Sequence, residues 1–553
     1  MLASRTLRLV LCAAALAVAL AGETRITVLA TTDLHGNIYG TDYFTGRPAA
    51  RGLARVAAHI RAVRSENPNT ILIDCGDTIQ GSPLESVWQY WVMNGRLPAG
   101  LTWPGRPPAS DPMMLAMNSL GYDAMVPGNH EFNFSLKNLN AARDAARFPW
   151  ISANIVRTRG SRAKAFAPYI VKRVAGVKVA IVGLTTPGIP QWEPPENYAG
   201  YRFETLKKAA AAAVAQVRRK ERPDIVIAAI HAGLDSADDI LRDTPGIDAA
   251  FLGHSHDEIK GREVSGVMVV QPKNWGMGLG RVDFTLEREG RGWRVIARTG
   301  GVLPASKAKA DPEVLALARP YHEITEKYLT TPVAESGAEL DGRFGRIRDT
   351  ALVDAIHEVQ MHYAKADVSF TSLFNTRVLV RRGPVTVRDL AALYVYDNEL
   401  YAIEGTGQMV KDALENAAKF FLACPDAACS HGPLVNRAVI GYQFDMAQGV
   451  EYEIDLTKPV GQRIINLRRN GRPLAPDAKL RIAVNNYRYG GSGGYSMFRK
   501  AKVLWESSQD IRNLMIEYFI SHRRLPERPD GNWRVVPAAA LATLEREAAA
   551  AEH

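Results

Sequence analysis

The feature that most constrains this chain is a series of short apolar runs, each ending in a polar or glycine-containing cluster. They are RITVLATTD, NTILIDCGD, YDAMVPGNHE, KVAIVGLTT, PDIVIAAIHAG and DAAFLGHSH, in that order through the first half of the sequence. Runs of this length without strict alternation read as strands covered on both faces. The stretches between them, such as Leu53 to Arg64 and Leu206 to Arg219, have helical spacing. Strands alternating with helices predict an α/β layered sandwich, and polar groups in such folds gather beyond the carboxyl ends of the strands.

With 553 residues the chain is too long for one ordinary core. The strand rhythm stops past Gly301, and Asp311 to Leu329 reads as a helix with a proline interruption. An α+β segment follows, with a helix over Ala351 to Tyr363 and a strand-rich Tyr442 to Val484. It closes on the glycine loop NNYRYGGSGGY, and the Ala-rich C-terminus reads as a helix or a frayed tail. The expected division is a leader over residues 1–21, an α/β domain over 22–305, a helical linker over 306–331 and an α+β domain over 332–540.

Arg5 and Arg8 before an apolar run from Leu9 to Leu20, then small residues, describe a secretory signal peptide. A retained N-terminal anchor is the alternative, but no later segment approaches ~20 uninterrupted apolar residues. A secreted or periplasmic protein, with no stable membrane insertion after leader removal, is therefore expected. Beyond Cys12 in the leader only Cys75, Cys424 and Cys429 remain. Cys75 reads as a buried free thiol, whereas Cys424 and Cys429 could pair in an oxidising compartment. The net charge of +10 favours anionic substrates, but no Lys/Arg block is dense enough for a nucleic-acid polymer.

The polar clusters carry the chemistry. Asp33-Leu34-His35, Asp77, Asn129-His130-Glu131, His231 and His254-Ser255-His256 stand at successive strand ends. Two divalent ions ~3.5–4 Å apart need about seven mixed nitrogen and oxygen donors, one of them a bridging carboxylate. Asp33, His35, Asp77, Asn129, His231, His254 and His256 supply that set, which suits Zn, Mn, Co or similar ions. Gly76, Gly128 and Gly253 are expected to let the backbone turn sharply beside them.

With TTDLHGN, CGDTIQGSPL, GNHEFN, HAG and GHSH, the first domain resembles the calcineurin-like metallophosphoesterase domain of the 5′-nucleotidase superfamily. The second resembles that superfamily's C-terminal nucleotide-binding domain. The resemblance implies that Asp33, His35 and His256 hold one ion and Asn129, His231 and His254 the other, with Asp77 bridging. It also implies that His130 stabilises the transition state or assists the leaving group. In 5′-nucleotidases an aspartate stands three residues after that histidine, whereas this chain has Asn133. GNHEFN, QGSPL, NNYR and the Trp275-Gly276 pair look more like the 2′,3′-cyclic-nucleotide 2′-phosphodiesterase/3′-nucleotidase branch.

For the second domain the resemblance implies a base held between two aromatic rings, here Tyr396 and Tyr487. It places Asn375 and Arg377 at the sugar or phosphate, with Arg346 and Arg348 as weaker candidates. Gly491 allows close approach of a ligand, and Ser492 replaces an acidic residue of the 5′-nucleotidases. The expected activity is an exported nucleotide hydrolase of the cyclic-phosphodiesterase and 3′-nucleotidase type, acting on small-molecule nucleotides. The alternatives are a 5′-nucleotidase or UDP-sugar hydrolase, a thiosulfohydrolase relative, and a catalytically inactive surface nucleotide-binding protein.

Overall fold

The computed structural model describes residues 23–396, 398–424, 429 and 431–550; the leader lies outside them. The chain forms two compact units, one holding the residues up to Asp42 and Gly46–Glu326, the other Tyr43–Thr45 and Lys327 onward.

The first unit is built on two sheets. The five-stranded sheet runs Gly292–Pro304, Gly278–Glu289, Glu23–Thr31, Thr70–Asp74, Ala124–Met125, with the last three strands parallel. The six-stranded sheet runs Glu258–Val264, Val267–Pro272, Ala249–Gly253, Ile225–His231, Val177–Thr185, Tyr169–Val174, and its middle four strands are parallel.

One core forms between the sheets, from Ile26 and Val28 of one and Ile181 and Ile227 of the other. A second forms on the outer face of the six-stranded sheet, where Val182 and Ile230 meet Val214 and Val217 of the helix Leu206–Glu221. Alternate residues of Val177–Thr185 thus enter different cores. That is why its sequence is apolar throughout rather than at every second position.

The helix Pro312–Leu329 contains Pro320 and lies mostly in the first unit. His322 stacks on Tyr39 at 4.0 Å, and Asp311 pairs with Arg61 at 2.5 Å.

The second unit has a five-stranded sheet in the order Met446–Gln448, Val368–Thr371, Lys479–Asn485, Glu399–Thr406, Val503–Asp510. A four-stranded sheet includes Glu451–Asp455 and Trp533–Val536. Phe370, Ile403, Ile482, Phe444 and Trp533 share its core. The Ala-rich C-terminal segment is a helix, Ala538–Ala550, rather than a frayed tail. It buries Leu544, and its Glu547 accepts from the amides of Leu434 and Val435. Cys424 and Cys429 are joined by a disulfide, and Cys75 is free and buried. Among the described residues no helix is long and apolar enough to cross a membrane.

Candidate metal centre

The two sheets bring their carboxyl ends to one place. Asp33 and His35 follow Glu23–Thr31, Asp77 follows Thr70–Asp74, and His231 ends Ile225–His231. His254 and His256 follow Ala249–Gly253. The first two loops are tied by backbone bonds, Asp33 N to Gly76 O at 2.8 Å and His35 N to Asp77 O at 2.9 Å.

Five of the candidate ligands, Asp33, His35, Asp77, His254 and His256, have φ between 47° and 76°. Non-glycine residues rarely adopt this left-handed conformation, and each costs about 1–2 kcal/mol there. The surrounding fold therefore forces these side chains into position.

Two of the three glycines act differently from the expectation. Gly76 has φ 94°, so it does make a turn that favours glycine. Gly128 and Gly253 are not left-handed; they leave room. A Cβ on Gly128 would lie 2.1 Å from Asp77 Oδ1, and one on Gly253 would lie 2.2 Å from Thr32 Oγ1.

Six of the ligand atoms fall into two groups, Asp33 with His35 and His256, and Asp77 with His231 and His254, each within 4.8 Å. Asn129 joins the second, its Oδ1 lying 3.3 Å from His231 Nε2. His231 Nε2 is also 3.0 Å from Asp77 Oδ2. Hydrogen bonds fix the ring orientations. His231 Nδ1 donates to Cys75 O at 2.7 Å and His35 Nδ1 to Gln80 O at 2.9 Å, so both rings direct Nε2 inward. His35 Nε2 then faces His256 Nε2 at 3.2 Å, a pairing of ring nitrogens that a cation would relieve. Asn274 lies 3.1 Å from His256 Nδ1, on the side away from Asp33.

The charges suit the same purpose. Burial pushes Asp77 up, but His231 and His130 more than offset it and hold the carboxyl well below its usual range. Burial likewise raises Asp33 and is outweighed by the bond to His256 and the charge of His231. Burial brings His35 and His254 down to about 4, leaving them neutral and able to donate a lone pair. His231, against burial, is raised to about 10 by Asp77. Without a metal it is a buried cation on that carboxylate; two anionic and several neutral nitrogen donors fit divalent ions.

His130 sits beside this cluster, its Nε2 4.0 Å from Asp77 Oδ2 and its ring 5.2 Å from that of His35. Its Nδ1 is 2.5 Å from Asn133 Oδ1. Two carboxylates outside the expected set support the loops. Glu131, 1% exposed, accepts the amides of Asp77, Thr78, Ile79 and Gly128. Its place directly after the Asn129-His130 motif was a readable signal. Glu193 accepts from Asn133 Nδ2 at 2.5 Å and from Asn197 Nδ2 at 3.0 Å, and burial raises its pKa to about 7. Nothing in the local pattern marks it, because it lies sixty residues from Asn133.

The expected ligand-contacting residues of the second unit are placed as follows. Tyr396 is 44% exposed and meets Phe374 and Tyr442 edge-on at 5.1 and 6.3 Å. Tyr487 is half-buried on the short helix Asn486–Tyr489. Arg377 is exposed, and its amide donates to Asn375 Oδ1 at 3.0 Å. Asn375 Nδ2 donates to Ala392 O. Gly491 is left-handed at φ 89°, and Ser492 opens the turn Ser492–Gly494. Arg488, adjacent to Tyr487, is held by Asp445 at 2.7 and 2.9 Å and lies 4.5 Å over the Tyr495 ring.

Residues 26–258 match the calcineurin-like phosphoesterase family, and residues 327–500 match the 5′-nucleotidase C-terminal domain. The trifunctional nucleotide phosphoesterase YfkN of Bacillus subtilis is 28% identical over 94% of this chain, which spans 39% of that protein. A 2′,3′-cyclic-nucleotide 2′-phosphodiesterase/3′-nucleotidase of Haemophilus influenzae is 28% identical over 93% of this chain and 88% of its own length. The crystal structure of a 5′-nucleotidase precursor from Thermus thermophilus superposes with a TM-score of 0.64 at 22% identity, covering 93% of this chain and 99% of that one, which establishes the shared two-domain fold. The chain therefore belongs to the metallophosphoesterases of the 5′-nucleotidase family, and it is a phosphoric ester hydrolase.

Proposed function

We propose that the protein is an exported 2′,3′-cyclic-nucleotide 2′-phosphodiesterase and 3′-nucleotidase using two divalent ions. The observation that carries this reading within the family is Asn133, which sits on His130 where a 5′-nucleotidase has an aspartate. Ser492 in the glycine loop and the relative with that activity point the same way. Export is supported by the leader-like N-terminus and by the Cys424–Cys429 disulfide, a bond that persists in oxidising compartments.

One ion would be held by Asp33, His35 and His256, the other by Asn129, His231 and His254, with Asp77 between them. Such a pair polarises phosphoryl oxygens and makes water nucleophilic near neutral pH. The remaining chemistry belongs to the chain. With Nδ1 bonded to Asn133, His130 presents Nε2 on the Asp77 side, where it can pass a proton to the departing oxygen. In the first reaction water adds to phosphorus, the P–O2′ bond breaks, and O2′ takes a proton. In the second, water again adds to phosphorus, the P–O3′ bond breaks and O3′ takes a proton, releasing nucleoside and phosphate. Tyr396, with Phe374 and Tyr442 around it, and Tyr487 would supply flat faces for the base, and Asn375 and Arg377 would contact sugar or phosphate. No dense basic stripe accompanies these residues, so the substrate would be a small nucleotide rather than a polymer.

A substrate panel with Zn-, Mn- or Co-loaded enzyme tests this. We expect kcat/KM for 2′,3′-cyclic AMP and 3′-AMP to exceed that for 5′-AMP by about tenfold or more, a difference of about 1.4 kcal/mol in transition-state binding. Preference for 5′-AMP would refute the branch while leaving the family intact.

A further inference from the structure

We infer that Glu193 is a positioning residue for His130, acting through Asn133 to supply from behind what a directly contacting carboxylate supplies elsewhere. The inference rests on the role proposed above for His130. Glu193 follows the short helix Ile189–Trp192 and is 5% exposed. Both of its oxygens are engaged: Oε1 accepts from Asn133 Nδ2 at 2.5 Å and Oε2 from Asn197 Nδ2 at 3.0 Å. Asn197 Nδ2 also donates to the backbone oxygen of Asn133, so the three residues form a closed arrangement.

The consequence is a choice of tautomer. An asparagine alone can turn its amide by 180° and offer His130 either its oxygen or its NH2. With Glu193 Oε1 accepting from it, Asn133 gives its NH2 to Glu193 and turns its oxygen to His130 Nδ1. Nδ1 is then the protonated nitrogen in neutral His130. Nε2 is left for the reacting group, on the side of Asp77 at 4.0 Å.

Four variants of the full-length, metal-loaded enzyme test this: E193Q, N133D, the double variant N133D/E193Q, and H130A. They are assayed on the fastest nucleotide of the panel and on p-nitrophenyl phosphate, with metal content measured alongside. In E193Q the glutamine no longer dictates the orientation of Asn133, so kcat on the nucleotide should fall about 10- to 100-fold. KM and metal content should stay within about twofold of the parent, and the loss should be smaller on p-nitrophenyl phosphate, whose leaving group needs less protonation. N133D sets two buried carboxylates against each other and should also lose activity. The double variant has one carboxylate directly on His130 with a neutral partner behind, and should be faster than either single variant.

E193Q with parental kcat would overturn the inference, as would a double variant whose losses multiply. Should E193Q fail to fold, comparison of the double variant with N133D decides alone. Impaired H130A beside a fully active E193Q removes only Glu193. H130A at the parental rate removes His130's role and this inference with it.

Discussion

At the scale of single residues, the first unit spends much of its buried charge on carboxyl groups with unlike tasks. Asp33 and Asp77 are held ionised by histidines, whereas burial and the neighbouring Asp77 raise the pKa of Glu131 even though four backbone amides donate to it. For Glu85, fully buried on the helix Pro83–Asn94, burial first, and the neighbouring Asp111 second, push the pKa well above 4.5. Burial also raises Asp111 to about 7. A carboxyl whose folded pKa is raised binds its proton more tightly folded than unfolded. Its contribution to stability therefore declines as pH climbs above the unfolded value. Glu85→Gln should match the parent near pH 4 and be more stable at pH 8, by on the order of 1 kcal/mol. Urea midpoints across that range check it; parallel curves for the two proteins would contradict the assignment.

At the scale of elements, the runs that end in polar clusters were legible because covered parallel strands leave a continuous apolar signature. Thr70–Asp74, Ile225–His231 and Ala249–Gly253 fall within them, and Val177–Thr185 starts one residue before its run. The run YDAM yields only the two-residue strand Ala124–Met125, since pairing length depends on a neighbour that the run itself does not specify. The glycines show a similar limit. A glycine before a ligand suggests a turn, yet Gly128 is needed for space against Asp77 and His231. Gly128→Ala should lower metal content and reduce activity at least about a hundredfold. Gly301→Ala, in the strand Gly292–Pro304 with nothing within 4 Å of the added carbon, should leave both unchanged. Metal analysis and kcat/KM on the two variants separate the cases.

At the scale of the whole molecule, five candidate ligands in left-handed backbone and a buried imidazolium make the first unit the part that metal binding is expected to stabilise. Chelation should lower its melting temperature by on the order of 10 °C. Hydrogen exchange should quicken at the amides of Asp33 and His35, bonded to Gly76 and Asp77, and stay unchanged in the strand Lys479–Asn485 of the second unit. A change spread evenly over both units would count against this.

The sequence by itself determined the order of strands and helices, the layered class and which residues are candidate metal donors. Those are written in local pattern: apolar runs, and polar pairs such as Asp33 with His35 one residue apart. What only the tertiary structure decided is the support around the donors. Glu193 reaches Asn133 across sixty residues, Gln80 and Cys75 orient His35 and His231 through backbone oxygens, and Arg488 is tied to Asp445. Any residue has a backbone oxygen, and a carboxylate's partner is fixed by where two loops meet, so neither leaves a mark in the order of residues.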